Sequence, residues 1–244
     1  MQKFVYILFF GLSVCSLNAQ KVYAWMDAGV KVGYGLTGML NGNLFDDKNY
    51  EHHLTTGTTF GAKIGLFIGL YDGITVDFMI SDNNQKFDFN RDGKNFIHDI
   101  NWKNYDLAVL YRMQKDGIYI EIGPQISFIN KVNENNTYNT PQEKDVKSFY
   151  SKNYISGVFG IGGYVFNYES FTTMLGLRIG YGITDMINAD GKTANYPNPQ
   201  AAAQPYSSYK SSNAAWVQLN LEFNFALGYY GRSACSKRST FFKF

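Results

Sequence analysis

Long hydrophobic runs are scarce in this 244-residue sequence. Beyond the N-terminal segment nothing approaches the ~20 consecutive apolar residues that a membrane-spanning helix requires. Cysteine is nearly absent: Cys15 lies in the N-terminal apolar run and Cys235 close to the opposite end. If the N-terminal segment is removed, no intramolecular disulfide can form, and thiol chemistry has no second partner. Only three histidines occur, His52, His53 and His98. The first two are adjacent and diverge in an extended chain, so no metal-binding spacing is present. Charge nearly cancels, with a net of +2, which gives no electrostatic footprint for nucleic acid. Proline is limited to five residues.

The first twenty residues have the order of a secretory signal. Lys3 is positive, Phe4 to Val14 are apolar, and Leu17-Asn18-Ala19 brings a small residue before Gln20. A lipid anchor on Cys15 would want a small residue where Val14 stands. We read 1–19 as the signal, 20–228 as a single folded domain and 229–244 as a periplasmic tail.

Glycine, tyrosine and phenylalanine are plentiful, at 24, 19 and 20 residues. The mean hydropathy of −0.24 conceals a strict alternation. From Ala24 to Leu36 the even positions are Ala, Met, Ala, Val, Val, Tyr and Leu, whereas the odd ones carry Trp25, Asp27, Lys31 and three glycines. A period of two is the strand signature. The same alternation recurs at 60–70, 74–80, 105–112, 118–128, 171–181 and 217–227. An eighth stretch, 154–166, is strand-like but too rich in glycine for its faces to be assigned. Eight strands satisfy the even number that single-chain bacterial barrels use. No Lys, Arg, Asp or Glu falls on the apolar face of the seven assigned strands. A basic side chain there, at the bilayer midplane, would cost about 2–4 kcal/mol.

The connections alternate between short and long. Short turns are expected at Tyr71-Asp72-Gly73, Asp116-Gly117 and 167–170, and long polar loops at 41–57, 83–99, 131–152 and 185–213. Asp-Gly suits a hairpin because glycine accepts positive φ. Short periplasmic turns with long outer loops are the habit of outer-membrane barrels. Parity requires an odd-length first turn with a bulge and an even-length second turn, which sets Arg112 opposite Glu121. Aromatic girdles are expected at Trp25, Tyr71, Tyr111, Phe171 and Tyr229 below and at Phe128, Tyr181 and Trp216 above. Pro124, on an apolar face, predicts a bulge. A soluble ligand-carrying barrel is the rival, but its polar face would meet water and carry more charge than these Gly-, Thr- and Ser-rich faces do. The expectation is an all-β, eight-stranded antiparallel up-and-down transmembrane β-barrel of the bacterial outer membrane.

Gly117 to Phe128 reads GIYIEIGPQISF, with an aromatic-x-Glu-x-Gly-Pro core. This segment resembles a strand of the small outer-membrane barrels of Bacteroidota, the porin-like or PorT-like family of eight-stranded barrels akin to OmpA and OmpX. Asn18-Ala19-Gln20 is similar to the signal endings of exported proteins in that group. The resemblance implies a fold and a location, and no activity.

Nine charged residues fall on the predicted lumen face: Asp27, Lys31, Lys63, Asp77, Asp106, Arg112, Glu121, Arg178 and Glu222. Buried charges must be paired, so a plugging salt-bridge network is expected, with a gated ion path as the alternative. No catalytic set, cofactor site or metal site is expected. A lipid-modifying enzyme would need a Ser-His-acid arrangement; none of the histidines sits on the apolar wall, and they are read as solvated loop residues. The expected function is a non-enzymatic barrel, structural, adhesive or part of an envelope complex. Its partners would be outer-membrane lipid and an envelope protein met through the loops or the tail, with no nucleic acid.

Overall fold

A computed structural model describes residues 23–231 apart from 70, 139 and 169. The segment read as an export signal and most of the tail, residues 1–22 and 232–244, lie outside the described residues. Among the described residues ten strands occur: β1 (Tyr23–Asn41), β2 (Tyr50–His53), β3 (Thr55–Ile68), β4 (Asp72–Arg91), β5 (Lys94–Lys115), β6 (Ile118–Asn136), β7 (Thr140–Asp145), β8 (Asn153–Tyr168), β9 (Phe171–Gly182) and β10 (Ser212–Gly231). Two short α-helices, α1 (Gly42–Asp46) and α2 (Ala189–Thr193), and a 3-10 turn at Lys147–Phe149 lie in the connections.

Eight of the strands close a ring in the order β1-β3-β4-β5-β6-β8-β9-β10 and back to β1, each pair antiparallel. Ring closure leaves no barrel edge unpaired, the condition for crossing lipid with strands. The fold is an all-β, eight-stranded antiparallel barrel. Strand β2 adds to β4 and β7 to β6, both above the ring.

The barrel is inside out. On β4, Ile74, Val76, Phe78 and Ile80 face outward and are about half exposed, whereas Thr75, Asp77 and Ser81 face inward and are buried. On β8, left unassigned by sequence, Tyr154, Ser156, Val158 and Gly160 point inward and Ile155, Phe159 and Ile161 outward. Two inward glycines show how narrow the lumen is. A Cβ on Gly180 would stand 2.2 Å from the Trp216 ring, and one on Gly160 would stand 2.7 Å from the Glu121 carboxylate.

Above the apolar band the polarity of each face reverses. Along β4 the outward positions pass from Ile80 to Asp82, Asn84, Lys86 and Asp88, and the inward ones end in Phe87 and Phe89. β5 does the same in reverse, with Asn101 and Lys103 outward and Ile100 and Trp102 inward. The inward apolar residues join Met39, Leu44, Tyr150, Met186 and others in one core. A water-type β-cap with a greasy centre therefore sits on a membrane-type barrel with a polar centre.

The cap corrects the loop expectations. Residues 83–99 are not a loop but the upper half of the β4–β5 hairpin, turning at Asp92-Gly93 with φ of 50° and 74°. Likewise 131–136 continues β6. The period of two persists there, but with the polar residues now outside, which gives the segment the composition of a loop.

Other details also differ. The first short turn is 69–71, set by the Ile68↔Asp72 pair, two residues earlier than expected and without a register shift. Its length is still odd, so parity holds. Asp116-Gly117 is the two-residue turn expected, both residues at positive φ, and it sets Arg112 opposite Glu121. Pro124 causes no bulge. The β5–β6 ladder omits the rungs at Val109 and Leu110 and resumes in the same register, so the missing N–H falls in a short gap. Trp25 and Trp216 leave the girdle for the lumen face because each shares the parity of the inward residues. Tyr71, Tyr111, Phe128 and Tyr181 do face outward, and the side chain of Tyr229 lies outside the described residues. β10 runs on to Gly231, past the boundary set at 228.

Candidate functional site

All nine sequence-selected charges are buried inside the barrel, none more than 4% exposed. Eight of them make one connected array. The Lys31 ammonium contacts Asp77 at 2.6 Å and Glu222 at 2.8 Å. Lys63 reaches Asp27 at 3.2 Å and Glu222 at 3.3 Å. The Arg112 guanidinium meets Glu121 at 2.6 Å and Glu222 at 2.8 Å, and Arg178 joins Asp77 at 2.8 Å to Glu121 at 2.5 Å. Four cations thus balance four carboxylates, each cation bridging two. Seven of the eight ring strands supply a charge, and the eighth, β8, supplies the space at Gly160.

The geometry is what such an array needs. Taking a charge out of water costs several kcal/mol unless close, hydrogen-bonded partners replace the water. The planar fork of arginine can do this twice at once: Arg112 donates through Nε and Nη2 to Glu121 and through Nη1 and Nη2 to Glu222. Its guanidinium also lies 4.2 Å from the ring centre of Tyr119, a cation–π contact. Tyr119 was not singled out from sequence. Its position two residues before Glu121, on the same face, was the available signal.

Asp106 stands apart from this array. Among the described residues no cation pairs with it; the Ser81 hydroxyl donates to it, and Ser127 lies across the ladder. It faces a cavity of about 20 Å³ shared with Asn104, Tyr154 and Trp216, room for a single water. Of the nine, five are acidic and four basic, and the fifth acid, Asp106, is held by a hydroxyl donor in place of a cation. At the other end, Trp25 stacks on Phe67 with centroids 3.8 Å apart and covers the periplasmic side of the array.

The histidines are not loose loop residues. His98 is fully buried in the cap, with Nε2 2.9 Å from a Glu134 carboxylate oxygen. Burial raises the Glu134 carboxyl, but the His98 contact and neighbouring donors outweigh it and hold it below the usual carboxylate range. His52 stacks on Phe45 at 3.9 Å, and burial lowers its affinity for a proton. His53 lies 3.0 Å from Asp88 at the cap surface. These three belong to cap packing, which single-sequence reading could not place because it assigned their segments to loops. Among the described residues no cluster of His, Cys, Asp and Glu could hold a metal ion.

No family model matches this sequence, and no curated protein is similar to it. Solved structures give distant likenesses. The attachment invasion locus protein Ail of Yersinia pestis aligns over 82% of this chain and 99% of its own, at 9% identity and a TM-score of 0.37. The outer membrane protein OprG of Pseudomonas aeruginosa aligns over 84% and 95%, at 11% identity and 0.39. The outer membrane protease OmpT of Escherichia coli aligns over 85% and 97%, at 8% and 0.36. Scores this low carry no argument about activity. The ring closure, the outward apolar band and the sealed charges make this chain a small β-barrel of the bacterial outer membrane.

Proposed function

We propose that this protein is a closed, non-enzymatic membrane anchor that holds a rigid β-cap outside the cell, acting in adhesion or as a subunit of an envelope complex. The observation that supports this reading is closure in series. A neutral ion-pair array fills the mid-lumen, and an aromatic-rich core blocks the mouth above it. A passage for solutes would need a wet path between the two, and the cavity there has room for one water. The likeness of Gly117 to Phe128 supports a place among the porin-like barrels of Bacteroidota.

Planar-bilayer recording of the purified barrel tests closure, with a silent trace as the expected result. Recurrent unitary events would replace this reading with a narrow pore. Co-purification from native outer membranes tests the envelope-complex version, where recovery of the barrel alone would count against it. A lipid-modifying activity is checked by mass spectra of lipid A from wild-type and deletion strains, which should coincide.

A further inference from the structure

We propose that the cap carries a lateral groove that receives one acyl chain of a lipid in the outer leaflet. Above the membrane-crossing part of the ring the β1–β3 ladder stops short of the end of β1. β1 pairs with β3 only as far as Thr37↔Thr55, yet β1 continues four residues further, to Asn41, held by β10 alone on its other side. β2 lies on β4, so no strand partner fills the edge of β1 from Gly38 to Asn41. A side chain stands in for the missing strand: the Met39 N–H donates to Gln85 Oε1 at 3.0 Å. The fissure between β1 and β2 opens into a cavity of about 300 Å³, lined mainly by apolar atoms.

The occupant follows from where the groove leads. Its floor is Leu36, Leu40 and Val217, outward residues continuous with the bilayer-facing Tyr34 and Leu219 below them. On neighbouring β3 the outward face has already turned polar at Thr56 and Thr58. The apolar surface thus climbs above the band along β1 and the adjoining Val217 of β10, but not along β3. There it meets Phe45, 48% exposed, and Leu54, 84% exposed, from the connection between β1 and β3. Large apolar side chains gathered in one concave strip at the membrane surface are left wet unless something covers them. A hydrocarbon chain rising from the adjoining leaflet covers them without leaving its own lipid. The upper wall is polar, formed by His52, His53 and Gln85, with the His52 Nδ1 atom buried and unpartnered. That places hydrogen-bonding groups at headgroup height above a hydrocarbon slot.

Photolabelling tests this with the full chain reconstituted in phosphatidylcholine liposomes. In one arm the diazirine is on the phospholipid acyl chain; in the other it is on a free fatty acid added to unlabelled liposomes. Peptide mass spectrometry should find phospholipid adducts on Leu40, Phe45 and Leu54 besides those on the apolar band. The variant Leu54→Glu should reduce labelling of Leu40 and Phe45 at least fivefold while leaving Ile74 and Val109, on distant strands, unchanged. Adducts confined to the band, or groove labelling by the free fatty acid alone, would overturn the proposal. So would equal labelling of the groove in wild type and variant.

Discussion

Arg112 sits where three strands converge on two carboxylates, Glu121 and Glu222. Replacing it with methionine keeps much of the volume and leaves both acids short of a cation. Breaking a buried pair from one side costs about 3–5 kcal/mol. Urea titration in detergent micelles, read by the heat-modifiable gel mobility of the barrel, should register a loss of that order for Arg112→Met. Arg112→Lys should lose less, because a point charge restores neutrality without the fork. If methionine proved neutral, the array would be incidental to stability. Glu134 makes a second residue-scale prediction, this one in pH. Its folded carboxyl is depressed, so its stabilisation is present above the unfolded value of ~4.3 and is lost as pH falls through the lower folded value. The aromatic near-ultraviolet circular dichroism of the cap should therefore fall as the medium is acidified below about pH 4, and Glu134→Gln should abolish that step. Superimposable acid profiles for the two proteins would remove the His98–Glu134 pair from the account.

At the scale of elements, the cap and the barrel should fail separately. Phe87 is fully buried in the cap core, and truncating a buried phenylalanine to alanine costs about 3–5 kcal/mol. Phe87→Ala should let an added protease cut within the cap while the membrane-embedded ring keeps its heat-modifiable mobility. Loss of both together would mean that they fold as one unit. Turn chemistry gives a smaller effect. Gly117 has φ of 83°, and Gly117→Val should destabilise the β5–β6 hairpin by about 1–2 kcal/mol, measured in the same urea titration. The barrel strands were legible because one period of two ran unbroken against lipid, and the lumen charges were legible because they shared its inward parity. The cap was not, for a specific reason. At Ser81–Phe87 and Trp102–Tyr105 the alternation survives but the faces exchange polarity, so Asp82, Asn84, Lys86 and Asp88 mimic a loop. Trp25 and Trp216 have the residue type of a girdle but the parity of the lumen face, and parity decides. The β8 faces were hidden by glycines, whose missing side chains leave parity unmarked.

Over the whole molecule, the outward belt on all eight ring strands commits the protein to hydrocarbon. Dilution of the purified barrel below the critical micelle concentration of its detergent should produce light scattering from aggregates, and a clear monodisperse solution would contradict the membrane assignment. One further result follows from the seam at which β1 meets β10. The partners there come from opposite ends of the chain: Lys31 faces Glu222 across the ladder, and the same two side chains reach Asp77 and Arg112 on β4 and β5. An open, partly assembled sheet therefore exposes unmatched ions on the surface that must become its hollow. Such a sheet cannot sink into oil until its first and last strands have met. Zipping of the terminal strands and passage into the bilayer are, for this chain, a single event, with the ionic hub as the latch that engages only when the circle is complete.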